Sequence, residues 1–208
     1  TIFSPIKPAQ THIVPPEQLH PVAKAYRRSK ILMNLNPIVW DQVWGDMQII
    51  SRTIERIDTK AGEIFRKKIQ SARKIAQPGI LNGEEPDLVA AREEGRRAVF
   101  TASTRCVARL IISLIGRIKP GADRQTVEQS LEEARKVTLA FADTLPYTDP
   151  KAWREIQLSW LDANSKLGTP GILKLGTRTM DIKGIRTALS QIKKYMAQNF
   201  ADYTAGSR

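Results

Sequence analysis

The 208-residue chain has little of several residue types that carry chemistry: one cysteine, two histidines and only 6% aromatic residues. A single cysteine excludes an internal disulfide framework. Cys106, His12 and His20 are too few and too scattered for a structural zinc site. No Glu-x-x-His pair occurs, which removes the carboxylate-bundle di-iron pattern. The chain has no Gly-x-x-x-x-Gly-Lys-Ser/Thr phosphate loop and no Gly-x-Ser-x-Gly elbow. Its best apolar run, Val107 to Ile118, is short and carries Arg109 and Arg117, against the roughly 18 apolar residues of a membrane span. The first residues lack the charged-then-apolar layout of a signal peptide. These gaps lead us to expect a soluble, intracellular protein that is not an enzyme, with no metal, no cofactor and no membrane span.

What is present is positive charge: 33 Lys plus Arg against 21 Asp plus Glu, a formal net of +12. It is unevenly spread. Residues 1–76 hold 13 basic and 6 acidic residues, residues 77–145 hold 10 of each, and residues 146–208 hold 10 and 5. The neutral middle reads as packed protein with a mixed surface. Excess charge in the terminal segments fits contact with a polyanion.

The chain divides by its breakers. Pro5, Pro8, Pro15, Pro16 and Pro21 make the first 21 residues extended. Apolar Ile2, Phe3, Ile6, Ile13 and Val14 imply that this segment lies along another surface. Pro21 opens a helix to about Leu35, carrying Lys24, Arg27, Arg28 and Lys30; Lys24, Arg27 and Arg28 sit at i, i+3 and i+4 and share one face. Asn34 to Pro37 breaks it.

From Ile38 to Ala76 an apolar seam runs through Trp40, Val43, Met47, Ile50, Ile54, Ile57, Ala61 and Ile64. After a one-residue shift it continues through Phe65, Ile69, Ala72 and Ala76. Steps of three and four predict one long helix, a rod of ~58 Å at 1.5 Å per residue, which Gly45 and Gly62 could bend. Beside the seam, Arg52, Arg56, Lys60, Lys67 and Lys74 form a basic stripe, with Arg66, Lys68 and Arg73 around it.

Pro78-Gly79 and Asn82-Gly83 mark a loop over 77–85. Pro86 starts a helix to Lys119 whose second half forms the centre of the core. Pro120-Gly121 stops it, and helices over 124–144, 150–168 and 181–201 follow. Residues 169–179 read as a loop or short hairpin. The expected fold is all-α: a bundle of about four helices over 77–208 and a basic helical arm over 1–76.

The remaining features have plain explanations. His12 and His20 lie in the proline-rich segment with no orienting partner. Cys106 sits on an apolar helix face, where a thiol behaves as a small hydrophobe; Arg105 and Arg109 beside it keep a nucleophile in view. Glu84-Glu85, Glu93-Glu94 and Glu132-Glu133 fit solvated faces. Leu175-Gly176-Thr177-Arg178 resembles a phosphate-gripping turn but reads more simply as a loop. Trp40 and Trp44, four apart, suit core, subunit interface or base stacking. Nothing marks base readout, so contacts with nucleic acid would be to phosphates and independent of sequence.

A proline-broken basic arm leading into a compact helical bundle resembles the major coat proteins of filamentous archaeal viruses with linear double-stranded DNA. The resemblance implies arms that wrap the duplex, and bundles that form the wall of a helical filament. It also implies pairing with itself or a paralogous coat subunit in a pseudo-symmetric dimer, and localisation to the virion after assembly in the host cytoplasm. It places Arg27, Arg28, Arg52, Arg56, Lys60, Arg66, Lys67 and Arg73 on the DNA-facing side. Lys24, Lys30 and Lys74, from the basic helical stretches themselves, complete the expected nucleic-acid-binding set. The alternatives are a nucleic-acid-binding subunit of a nucleoprotein effector or regulatory complex, and a helical interaction scaffold.

Overall fold

The caps in the sequence set where most helices begin. A computed structural model describes residues 18–76, 85–169 and 179–200. Among them lie eight α-helices and one 3-10 turn, with no strand. These are α1 (Pro21–Met33), α2 (Trp40–Ile57), α3 (Thr59–Ala76), α4 (Glu85–Gly116), α5 (Arg124–Thr138), α6 (Leu145–Thr148), α7 (Pro150–Ser165) and α8 (Ile182–Asn199), with the 3-10 turn at Leu139–Phe141. His20 Nδ1 accepts the Val22 N–H at 3.2 Å and opens α1, with Pro21 in its first turn. Asp123, Asp149 and Asp181 accept the N–H groups of Thr126, Ala152 and Gly184 at 2.8, 3.0 and 2.8 Å. Each thereby satisfies a first-turn donor that has no partner within its helix. The fold is all-α as expected. The single helix expected over 124–144 is instead fractured at Leu139, and Pro146 lies in the first turn of the short α6.

The rod does not form. Asp58 ends α2 with φ −143° and ψ 89°, and α3 doubles back against α2. Two helices of 18 residues, each ~27 Å long at 1.5 Å per residue, replace one of ~58 Å. Asp58 holds the elbow. Its Oδ1 accepts the Ala61 N–H at 3.0 Å; its Oδ2 accepts Arg109 Nε at 2.9 Å and Ser113 Oγ at 2.8 Å. Glu55 faces Arg66 at 3.2 Å, and Arg73 lies over Trp44, so the two helices run antiparallel. A Cβ on Gly62 would sit 2.8 Å from Glu55 Cα, so this glycine permits the close approach. Gly45 lies within the unbroken span of α2 with open space around it.

α4 is the central helix. Val99, Cys106, Leu110, Ile111 and Leu114 are fully buried. It runs antiparallel to α3: Ala76 meets Gly95 near one end, and the elbow meets Arg109 and Ser113 near the other. A Cβ on Gly95 would come within 2.9 Å of Ala76 Cβ. By length and composition alone, Arg92–Gly116 of α4 could cross a membrane, but 56% of that window is buried within this protein. α1 lies on the core through Val22, Ala23, Tyr26 and Met33, and the Tyr26 hydroxyl shares a 2.7 Å hydrogen bond with Thr104 of α4. Burial pushes the Tyr26 phenol up to about 12.

This packing places one core on both sides of the division expected at residue 76. Val22, Tyr26, Val43, Met47, Ile50, Ile54 and Phe65 belong to the same continuous core as α4 and α8. Residues 21–76 are therefore part of the bundle, because the apolar seam is buried on α4 instead of presented to a neighbour. The extended arm over residues 1–17, the loop over 77–84 and the turn around Leu175-Gly176-Thr177-Arg178 fall outside the described residues.

Candidate nucleic-acid interface

The cations of α1 are mostly engaged by acids of this chain. Arg28 donates from Nε to both oxygens of Asp46, at 3.0 and 3.1 Å, and from Nη2 to Asp46 Oδ1. Asp46 is 0% exposed and Arg28 is 51% exposed, so Arg28 reaches in to neutralise a buried carboxylate. Lys30 Nζ lies 3.1 Å from Asp143 Oδ2 and donates to Thr144 Oγ1 at 2.8 Å. Arg27 lies 3.8 Å from the same Asp143. Lys24 is exposed. Three of the four cations expected on the basic helix α1 thus have acidic partners within the chain, because Asp46 and Asp143 approach them only after packing.

The hairpin of α2 and α3 is different. At about 100° per residue, Arg52 and Arg56 lie opposite the buried face formed by Val43, Met47, Ile50 and Ile54. Lys60, Lys67 and Lys74 likewise lie opposite buried Ala61, Phe65 and Ala72 on α3. All five are exposed. Arg52, Arg56, Lys67 and Lys74 form no ion pair with an acid among the described residues. The stripe is real but folded: two short antiparallel rows on the outer side of a hairpin, not one line along a rod. Arg66 and Arg73 leave this face for the seam between the helices, where Arg66 meets Glu55 and the Arg73 guanidinium sits 5.7 Å from the Trp44 ring.

Trp40 and Trp44 stack on each other with centroids 5.1 Å apart and planes 14° off parallel, and both pack against the core while partly exposed. Arg73 over Trp44 completes a cation–π contact. Mutual stacking leaves these rings less free as a platform for bases.

The other candidate groups separate on burial. Cys106 is fully buried; burial, then the nearby Asp58 charge, pushes its thiol well up, so it has no access to a reactant. Arg109, its neighbour one turn away, is committed to Asp58. Partial burial works to raise the Asp58 carboxyl, but hydrogen bonds from Ala61, Ser113 and Arg109 outweigh it and hold it below its usual value. His20 is a helix cap, not part of a loose arm. Burial, with the Arg56 and Lys136 charges, lowers its pKa against the opposing pull of Glu133. Among the described residues no three His, Cys, Asp or Glu side chains are grouped to hold a metal ion. His12 lies outside them.

Two basic grooves bring together residues of helices that are remote in the sequence. One, between α3 and α4, is lined by Lys68, Arg97 and Arg105 with Glu94 among them. The other, between the end of α4 and α8, gathers Lys119, Lys183, Arg186 and Lys193 with no acid on its walls. The signals for the second were the net excess of five cations after residue 145 and the helical spacing of Lys183, Arg186 and Lys193. A comparison with known proteins finds no family model that matches the chain, and no curated protein or solved structure significantly similar to it.

Proposed function

We propose that this protein packages duplex DNA through its phosphate backbone, without reading bases, as a coat subunit that assembles with itself or a paralogue. One observation carries the reading. Arg52, Arg56, Lys67 and Lys74 stand on the outer face of the α2–α3 hairpin with no acidic partner among the described residues. Other cations, among them Arg28, Arg96 and Arg135, are paired with acids of the chain. A duplex presents one charge per about 1.7 Å of axis, and each cation that neutralises a phosphate releases a counterion. Such contacts position a protein without specifying sequence.

The packing of α1 to α3 into the bundle core favours a second reading. A self-contained body fits a nucleic-acid-binding subunit of a discrete nucleoprotein complex as well as a wall subunit. Two measurements separate these. A salt titration of wild type on two unrelated duplexes should give steep and equal slopes; no affinity for either duplex would overturn both readings. Electron microscopy of the mixture should then show regular filaments for a coat subunit and discrete particles for the second reading.

A further inference from the structure

We infer that the groove between the C-terminal end of α4 and the outer face of α8 is a second seat for a phosphate backbone, with duplex nucleic acid as its ligand. The inference rests on the reading of the protein as a backbone binder and extends it to a surface remote in sequence from the hairpin. The groove holds about 550 Å³, and Lys119, Lys183, Arg186 and Lys193 line it together with Thr187 and Ser190. Buried Ile115 and Ile118 close its inner side.

Three observations support it. First, none of the four cations pairs with an acid among the described residues, whereas Arg96, Arg124, Arg135 and Lys166 each meet a carboxylate three or four residues away. A concave surface with one sign of charge concentrates the opposite ion. Second, Lys183, Arg186, Ser190 and Lys193 follow at steps of three, four and three, so they form one row along α8. The row spans ~15 Å at 1.5 Å per residue, the length of about four phosphates on one strand of a duplex. Third, the hydroxyls are spent inward. Thr187 Oγ1 donates to the Lys183 carbonyl at 3.0 Å, and Ser190 Oγ donates to the Thr187 carbonyl at 2.6 Å. Recognition then falls to ammonium and guanidinium groups, which suit phosphate and carry no base code.

The groove also adjoins the hairpin. Ser113 of α4 bonds Asp58 at the elbow, Gly116 lines the groove three residues further on, and Arg56 lies two residues before Asp58. The groove and the Arg56 end of the hairpin therefore lie at one end of the bundle.

The test is a salt titration of the full chain on a mixed-sequence duplex, read by fluorescence anisotropy. The variant K183Q/R186Q is set against K151Q/R154Q. Lys151 and Arg154 are exposed and occupy the same second and fifth positions of α7 that Lys183 and Arg186 occupy in α8. Net charge and helix-end effects are thus matched. K183Q/R186Q should flatten the slope of log affinity against log salt by about 1.8 units, and Lys193→Gln alone by about 0.9; K151Q/R154Q should leave it unchanged. Equal flattening by the two double variants, or none from K183Q/R186Q and Lys193→Gln, overturns the groove. If R52Q/R56Q/K67Q/K74Q still flattens the slope in that case, the packaging reading survives without it. A wild type with no salt-dependent affinity overturns both.

Discussion

Arg28 on α1 and Arg52 on α2 look alike in the sequence, each an exposed cation in a basic helical stretch, yet they serve opposite ends. Arg28 folds back onto a buried carboxylate, Asp46, while Arg52 lies away from the core with no acidic partner among the described residues. The same contrast recurs elsewhere in the molecule. On α1, the first half of α4 and α5, several cations meet acids: Lys30 with Asp143, Arg96 with Glu93, Arg135 with Glu132. Arg52, Arg56, Lys67 and Lys74 on the hairpin, and the four cations of the α4–α8 groove, do not meet one among the described residues. A cation beside a carboxylate has spent its field within the fold. A cation without one remains available to an external polyanion.

The contrast can be broken most sharply at Arg28. Arg28→Ala strands the Asp46 charge in the core and should cost about 3 kcal/mol. That is a fall of roughly 6–12 °C in melting temperature for a chain of this size, whereas Arg52→Ala should cost less than about 0.5 kcal/mol. Thermal melts of the two variants decide the matter, and similar shifts would erase the distinction. Asp58→Ala comes next. It removes the cap of α3 and the anchor of the elbow to Arg109 and Ser113, for about 2 kcal/mol; a melt indistinguishable from wild type would mean that the elbow is held elsewhere.

A third effect is pH-dependent. His20 accepts the Val22 N–H, so α1 is capped by the neutral ring, and burial lowers the His20 pKa. Below about pH 6.5 the unfolded chain takes up a proton at this residue that the folded chain resists. Stability should therefore fall as pH drops from 7 toward 5. His20→Asn keeps a capping acceptor without titrating, so its melting temperature should fall less over that range. Equal falls would remove His20 from the account.

The smallest effect is on the exposed pairs. Glu93 is held down to about 2 by hydrogen bonds from Arg96, with Arg97 behind it, yet all three side chains are solvent-exposed. On α5, Glu132→Gln, which releases Arg135 and Lys136, should cost under about 1 kcal/mol. It should also add two cations to those without a partner, so DNA affinity should rise slightly; a weaker affinity would contradict the contrast.

Local signals were legible, and partners across the fold were not. Pro21, Asp123, Asp149-Pro150 and Asp181 mark helix starts because a cap acts within three or four residues of itself. The apolar seam from Val43 to Ala76 was also legible, since it records which face is buried. Its division at Asp58 was not. The residues that fix the elbow, Arg109 and Ser113, are 51 and 55 positions away, and Asp58 in a helical pattern reads as one more surface acid. For the same reason the α1 cations read as a DNA face. Asp46 and Asp143 are 18 and 113 residues from the cations they meet. The α4–α8 groove escaped notice because Lys119 and Arg186 converge only when α8 packs on α4.

The central claim is that the cations without acidic partners gathered on the hairpin face and in the α4–α8 groove, and not net charge as such, bind the polyanion. The direct test compares two quadruple variants of equal net charge in a salt titration on duplex DNA: R52Q/R56Q/K67Q/K74Q, and R96Q/R124Q/R135Q/K136Q. The first should flatten the slope by about 3.6 units, at roughly 0.9 for each phosphate no longer neutralised, and the second should leave it nearly unchanged. Equal flattening by both would show that the protein binds through its overall charge and would contradict the account.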